Sequence, residues 1–96
     1  MVLKRRIPLR PNETFGELLA RLRRIKRLSS DELAFLCGKS RKHISALEND
    51  KAVPTYDLTC TLAEKLEVKP SLLFNKLGEM ADQALEARKP FRKDND

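Results

Sequence analysis

Residues 28–54 read LSSDELAFLCGKSRKHISALENDKAVP, and their punctuation decides the fold. Ser29 followed three positions later by Glu32 is a capping box, with Leu28 and Leu33 at the two staple positions, so a helix starts here. It is short, because Gly38, free to adopt a positive φ, stops it at about Cys37. Ser40 is the next N-cap and opens a helix over about Arg41–Asn49 after only a brief turn, so the two helices must cross steeply. On a wheel of about 100° per residue, Ile44 and Leu47 fall on the inward side, while Arg41, Lys42, Ser45, Ala46 and Asn49 share an outer arc of roughly 140°. That arc is polar, basic and rich in small residues. Periodicity alone fits an ordinary solvated helix face equally well.

Upstream, Thr14 and Glu17 form another capping box, and Phe15, Leu18, Leu19, Leu22 and Ile25 recur at helical spacing, with Arg21, Arg24 and Arg27 on the other faces. Downstream, residues 50–54 form a connector ending in Pro54, and Thr55 caps a fourth helix that turns Leu58, Thr59, Leu62, Ala63 and Leu66 inward. Pro70 and Ser71 open a fifth, along which Leu73, Leu77, Met80, Ala84 and Ala87 make a short heptad stripe. No strand pattern interrupts these periods. The expected fold is all-α, a compact five-helix domain over residues 13–74. An arm over residues 1–12, kept out of the first helix by Pro8 and Pro11, precedes it. An extension of the last helix over 75–88 and a charged tail over 89–96 follow.

The 96 residues carry a formal net charge of +6, and its distribution is informative. Residues 1–30 hold Lys4, Arg5, Arg6, Arg10, Arg21, Arg23, Arg24, Lys26 and Arg27 against only Glu13 and Glu17, whereas the rest is close to neutral. A polyanionic partner is implied, with a solvated basic face as the bland alternative. No apolar run reaches the ~18 residues of a membrane span, and Met1–Arg10 lacks the apolar core of a signal peptide, so a cytoplasmic location is expected. Cys37 and Cys60 lie in helical stretches and are expected as reduced thiols. No zinc-type Cys/His spacing, paired carboxylates or Gly-rich phosphate loop is present, and His43 stands alone. Neither a cofactor, a metal nor an enzymatic activity is expected.

Over residues 15–74 the chain resembles the helix-turn-helix core of the phage repressor and Cro family, the XRE-like regulators. The resemblance rests on features in order: Leu28-Ser29 with Glu32-Leu33-Ala34, Gly38, Ser40-Arg41, Ile44-Ser45, Leu47-Glu48-Asn49, Pro54, and Leu62-Ala63 with Leu66 and Val68. It implies that Ala34 lets the two helices approach, that Ile44 and Leu47 pin the recognition helix, and that the opposite face enters the major groove. Arg41, Lys42, Ser45 and Ala46 would then face base edges. Arg41 matches guanine O6 and N7, and Ala46 is suited to a thymine methyl. Ser30 and Ser40 at helix N-termini, with Asn49 and Lys51 at the far end, would contact phosphate. An Arg23–Glu48 ion pair between the first and third helices is also implied.

Ser30 and Asp31 stand where the family commonly has Gln and Glu, Lys39 where a small apolar residue is usual, and Asp50 where Gly is usual. Phe35 and Leu36 are apolar at positions the family usually makes polar. The function these features imply is a sequence-specific, double-stranded DNA-binding transcriptional regulator, a repressor acting as a homodimer, with Leu73, Leu77 and Met80 as its candidate interface or, in the bland alternative, as a cap on the core of one chain. Lys4, Arg5 and Arg6 of the arm would add phosphate or minor-groove contacts, or Val2, Leu3, Ile7 and Leu9 would cover Phe35 and Leu36. The alternative is a protein-interaction or antitoxin-like subunit, gripping a partner protein such as a toxin.

Overall fold

The computed structural model describes residues 10–88, and Lys4, Arg5, Arg6 and the tail from Lys89 lie outside them. Five helices follow one another: α1 Phe15–Ile25, α2 Ser30–Cys37, α3 Arg41–Glu48, α4 Tyr56–Leu66 and α5 Pro70–Arg88. Four begin on the N-caps expected. Thr14, Ser29, Ser40 and Thr55 all hold extended backbone and accept an N–H from three residues on. At Thr14 and Ser29 the box is reciprocal: Thr14 N donates to Glu17 Oε1 at 3.0 Å and Ser29 N to Glu32 Oε1 at 2.7 Å.

The ends of α1 to α4 share a single device. In each, a residue in the left-handed region lets the next N–H reach back to a carbonyl five residues earlier: Leu28 to Arg23, Lys39 to Ala34, Lys51 to Ala46 and Val68 to Ala63. Gly38 fills the position after α2 at φ +67°, but Arg27, Asp50 and Glu67 fill the others at φ +59°. Arg27 therefore lies beyond α1 in the turn, not on a helix face as expected, because the chain reverses to bring Leu28 onto the core. Asn49 likewise caps α3 rather than extending it.

The core gathers Phe15, Leu18, Leu19 and Leu22 of α1, Leu33 and Ala34 of α2, Ile44 and Leu47 of α3, Leu58, Leu62, Ala63 and Leu66 of α4, then Val68 and Leu73. Each large side chain buried in this way contributes about 1.5–3 kcal/mol relative to exposure. Leu73 is at 0% exposure, and Leu77 and Met80 pack against the same cluster. Of the two readings of this stripe, the contacts favour the core cap over the dimer interface. They close the core of one chain, so the packed part of α5 reaches Met80, past residue 74, and Lys76 is buried with them. The side chains exposed beyond that point include Ala84 and Leu85.

Candidate nucleic-acid interface

α3 is anchored along one side and open along the other. Ile44 and Leu47 are at 0% exposure, while Arg41, Lys42, Ser45 and Asn49 are exposed and Ala46 is half-buried beside them. Among the described residues, the charged groups of Arg41 and Lys42 have no hydrogen-bond or ion-pair partner. The structure thus brings the four residues expected to face bases onto one surface, and leaves the donors of Arg41, Lys42 and Ser45 available. His43 is half-buried at the edge of this face.

The residues expected at phosphates are disposed less uniformly. Ser40 Oγ accepts from His43 N at 3.1 Å, which leaves its O–H free to donate outward. Ser30 opens α2 half-buried, next to a capping box that already engages Ser29 and Glu32. Asn49 Nδ2 donates to Ser45 O at 2.9 Å and lies 3.3 Å from Ser45 Oγ, so the end of α3 uses part of its hydrogen-bonding capacity. Lys51 is exposed just past that end.

α3 is held against α2 and, through polar contacts as well as packing, along its seam with α1. Arg23 Nε lies 2.6 Å from Glu48 Oε2 and Nη2 3.1 Å from Oε1, while Nη1 donates to Leu28 O at 2.9 Å. The pair is nearly buried, at 15% and 11% exposure, and Glu48 as acceptor holds the Arg23 guanidinium above its ordinary value. Two seam residues escape local pattern reading. Gly16 lets α1 rest on the end of α3, since a Cβ there would meet the Glu48 carbonyl and lie 2.7 Å from Leu47 O. Asp50 reaches back to α1, accepting from Thr14 Oγ1 at 2.6 Å and from Gly16 N at 2.9 Å. The one available signal for Asp50 was its place in a position usually given to Gly.

A second buried pair steadies the lead-in to α1. Glu13 binds Arg21 through both oxygens, each at 2.7 Å, at 7% and 12% exposure respectively. The Arg21 guanidinium holds the Glu13 carboxyl below the ordinary carboxylate range against the opposing effect of burial. Burial pushes the Cys37 thiol up, outweighing Lys65 and Lys39, which makes it a poor nucleophile. No group of acidic, His and Cys side chains among the described residues could hold a metal, and no described helix is long and apolar enough to cross a membrane.

A family described as a helix-turn-helix domain matches residues 16–79, from the first turn of α1 through the packed part of α5. This chain belongs to that helix-turn-helix family. It is 38% identical over 80 residues to the HTH-type transcriptional repressor RghR of Bacillus subtilis strain 168, a match covering 82% of this chain and 58% of that protein. The chain thus spans just over half the length of that curated relative. Among solved structures, the restriction-modification controller protein C.AhdI from Aeromonas hydrophila superposes with a TM-score of 0.59 at 34% identity. That match covers 62% of this chain and 89% of the controller protein. The helix-turn-helix is α2, the Gly38 turn and α3.

Proposed function

We propose that this chain is a sequence-specific, double-stranded DNA-binding transcriptional regulator, acting as a repressor, that reads the major groove with α3. The observation that carries this reading is the two-sided character of that helix. Its inner side is fixed by Ile44, Leu47 and Glu48, and its outer side offers the charged groups of Arg41 and Lys42, which no described residue engages, and the hydroxyl of Ser45, which accepts from Asn49 Nδ2 and keeps its O–H to donate. Arg41, Lys42, Ser45 and Ala46 face base edges, while Ser30, Ser40, Asn49 and Lys51 lie along phosphates. Lys4, Arg5 and Arg6 add sequence-independent attraction. The relative named as a transcriptional repressor and the controller protein support the same class.

The functional unit in this reading is a homodimer, because a two-fold pair reads two half-sites one helical turn apart. With Leu73, Leu77 and Met80 packed against the core, the large apolar side chains that α4 and α5 expose for a second copy, among the described residues, are Tyr56, paired with the Phe74 ring at 5.3 Å, and Leu85. Selection of bound sites from a random DNA pool tests the whole proposal. A recovered inverted repeat with a fixed spacing is the expected result. Single unpaired sites would remove the dimer, and no enrichment would remove base reading by α3.

A further inference from the structure

Asp50 ends α3 in a left-handed conformation, φ +59°, that glycine adopts freely and other residues adopt at a cost. Asp tolerates that conformation better than most non-glycine residues, but the backbone alone would favour glycine, and the further reason for a carboxylate lies in its side-chain contacts. Asp50 Oδ2 accepts from Thr14 Oγ1 at 2.6 Å and Oδ1 from Gly16 N at 2.9 Å, placing a negative charge at the N-terminus of α1. This contact joins positions 36 and 34 residues apart in sequence. It also holds the short segment in which Asn49 and Lys51, both exposed, flank Asp50, and Lys51 N donates back to Ala46 O at 2.8 Å.

We propose that Asp50 is a positioning residue for DNA binding, tethering the end of α3 to the first turn of α1 so that Asn49 and Lys51 are presented to phosphate. The proposal rests on the DNA-binding reading above. It makes a prediction opposite in sign to simple electrostatics. A carboxylate beside a polyanion repels it, so removing the charge alone would raise affinity, most of all at low salt. Removing the tether instead lowers affinity, because two phosphate donors lose their fixed geometry.

The experiment compares wild type, Asp50→Asn, Asp50→Gly and Thr14→Val by fluorescence anisotropy on a mixed-sequence DNA duplex across a salt series, well below each melting temperature. Phosphate contacts act on any sequence, so no known operator is needed. Asn keeps an acceptor for Gly16 N and a polar partner for Thr14 without the charge, and is expected to bind as tightly as wild type or tighter. Gly suits the backbone best and has no tether, and is expected to bind about three- to tenfold more weakly with a shallower salt slope, a loss on the scale of one or two hydrogen bonds. Thr14→Val leaves the charge and removes one of the two tether contacts together with the α1 N-cap, which lowers the melting temperature, and below that temperature a smaller loss of affinity of about twofold is expected. Asp50→Gly binding as tightly as wild type, or Asp50→Asn binding as weakly as Asp50→Gly, would overturn the proposal. Failure of the wild type to bind any duplex would overturn the DNA-binding reading instead.

Discussion

Ile44, Leu47 and Glu48 on the inner side of α3 are packed, paired or in contact with backbone from α1, whereas Arg41 and Lys42 on its outer side touch no charged or hydrogen-bonding group of the described chain. One eight-residue helix thus carries two populations of side chains with different duties. In the proposed reading the inner set determines where the helix lies, and the outer set determines what it meets. Substitutions on the inner side should lower stability and carry affinity down with it for every sequence. Those on the outer side should leave stability alone and change affinity or preference.

The largest effect is expected at Gly16. Alanine there puts a methyl into the Glu48 and Leu47 carbonyls, and backbone atoms have no rotamer by which to yield, so α1 and α3 must separate. A loss of about 3 kcal/mol or more in unfolding free energy is expected, at the upper end of overpacking costs. Gly78 is the control, since a Cβ there meets nothing within 4 Å. Gly78→Ala should be neutral or stabilising, through better helix propensity. Similar denaturant midpoints for the two variants would show that the seam is not tight.

Next comes Glu48→Ala, which strands Arg23 in a nearly buried site with only the Leu28 carbonyl as partner. Breaking a fully buried pair by removing one member costs about 3–5 kcal/mol, and the residual exposure of this pair brings the expected loss to about 2–3 kcal/mol. Glu67→Ala removes the partner of Lys26 from a far more open pair, at 47% and 31% exposure, and should cost no more than about 1 kcal/mol. Equal losses for Glu48→Ala and Glu67→Ala would count against a special role for the seam.

Glu13→Gln is expected to be smaller and to depend on pH. Arg21 depresses the folded-state pKa of Glu13, so the pair's contribution is fully present above the ordinary carboxylate range and is lost as pH falls through the folded-state value. The variant should therefore be about 1–2 kcal/mol less stable than wild type at neutral pH, with the gap closing in acid. Glu13, Arg21 and Glu48 line one cleft, so a parallel offset at all pH values would mean that packing, not charge, holds that side of α1.

These contrasts also separate what local sequence encodes from what only the fold reveals. Helix starts were legible because caps follow a three-residue rule: Thr14 with Glu17, Ser29 with Glu32, and the hydroxyls of Ser40 and Thr55. Helix ends were legible only at Gly38. At Arg27, Asp50 and Glu67 the left-handed conformation is imposed by the reversal that follows, which buries Val68 and packs Leu28 against the core. The outer face of α3 followed from periodicity. Gly16 and Asp50 did not, because their reasons lie across the seam, and the inward turn of Leu77 and Met80 did not, because a heptad stripe looks the same whether it meets its own core or another chain.

The smallest expected effect on stability, and the sharpest on recognition, belongs to the outer face. Arg41 is exposed in the first turn of α3, where a cation opposes the helix dipole, so Arg41→Ala should leave the melting temperature unchanged or raise it slightly. On DNA the same substitution should relax preference at one position of each half-site, a loss of roughly 1–3 kcal/mol of discrimination if Arg41 pairs with a guanine. Lys51→Ala is the companion variant, because Lys51 lies beyond the helix where phosphate, not base edges, would be in reach. It should weaken all sequences about equally and reduce the salt slope by roughly one unit. The two must be read together. If Arg41→Ala lowered affinity uniformly without altering the selected consensus, Arg41 would belong with Lys51 among the phosphate contacts. The base-reading surface would then reduce to Lys42, Ser45 and Ala46, on the same exposed side of α3 but one position further from its N-terminus.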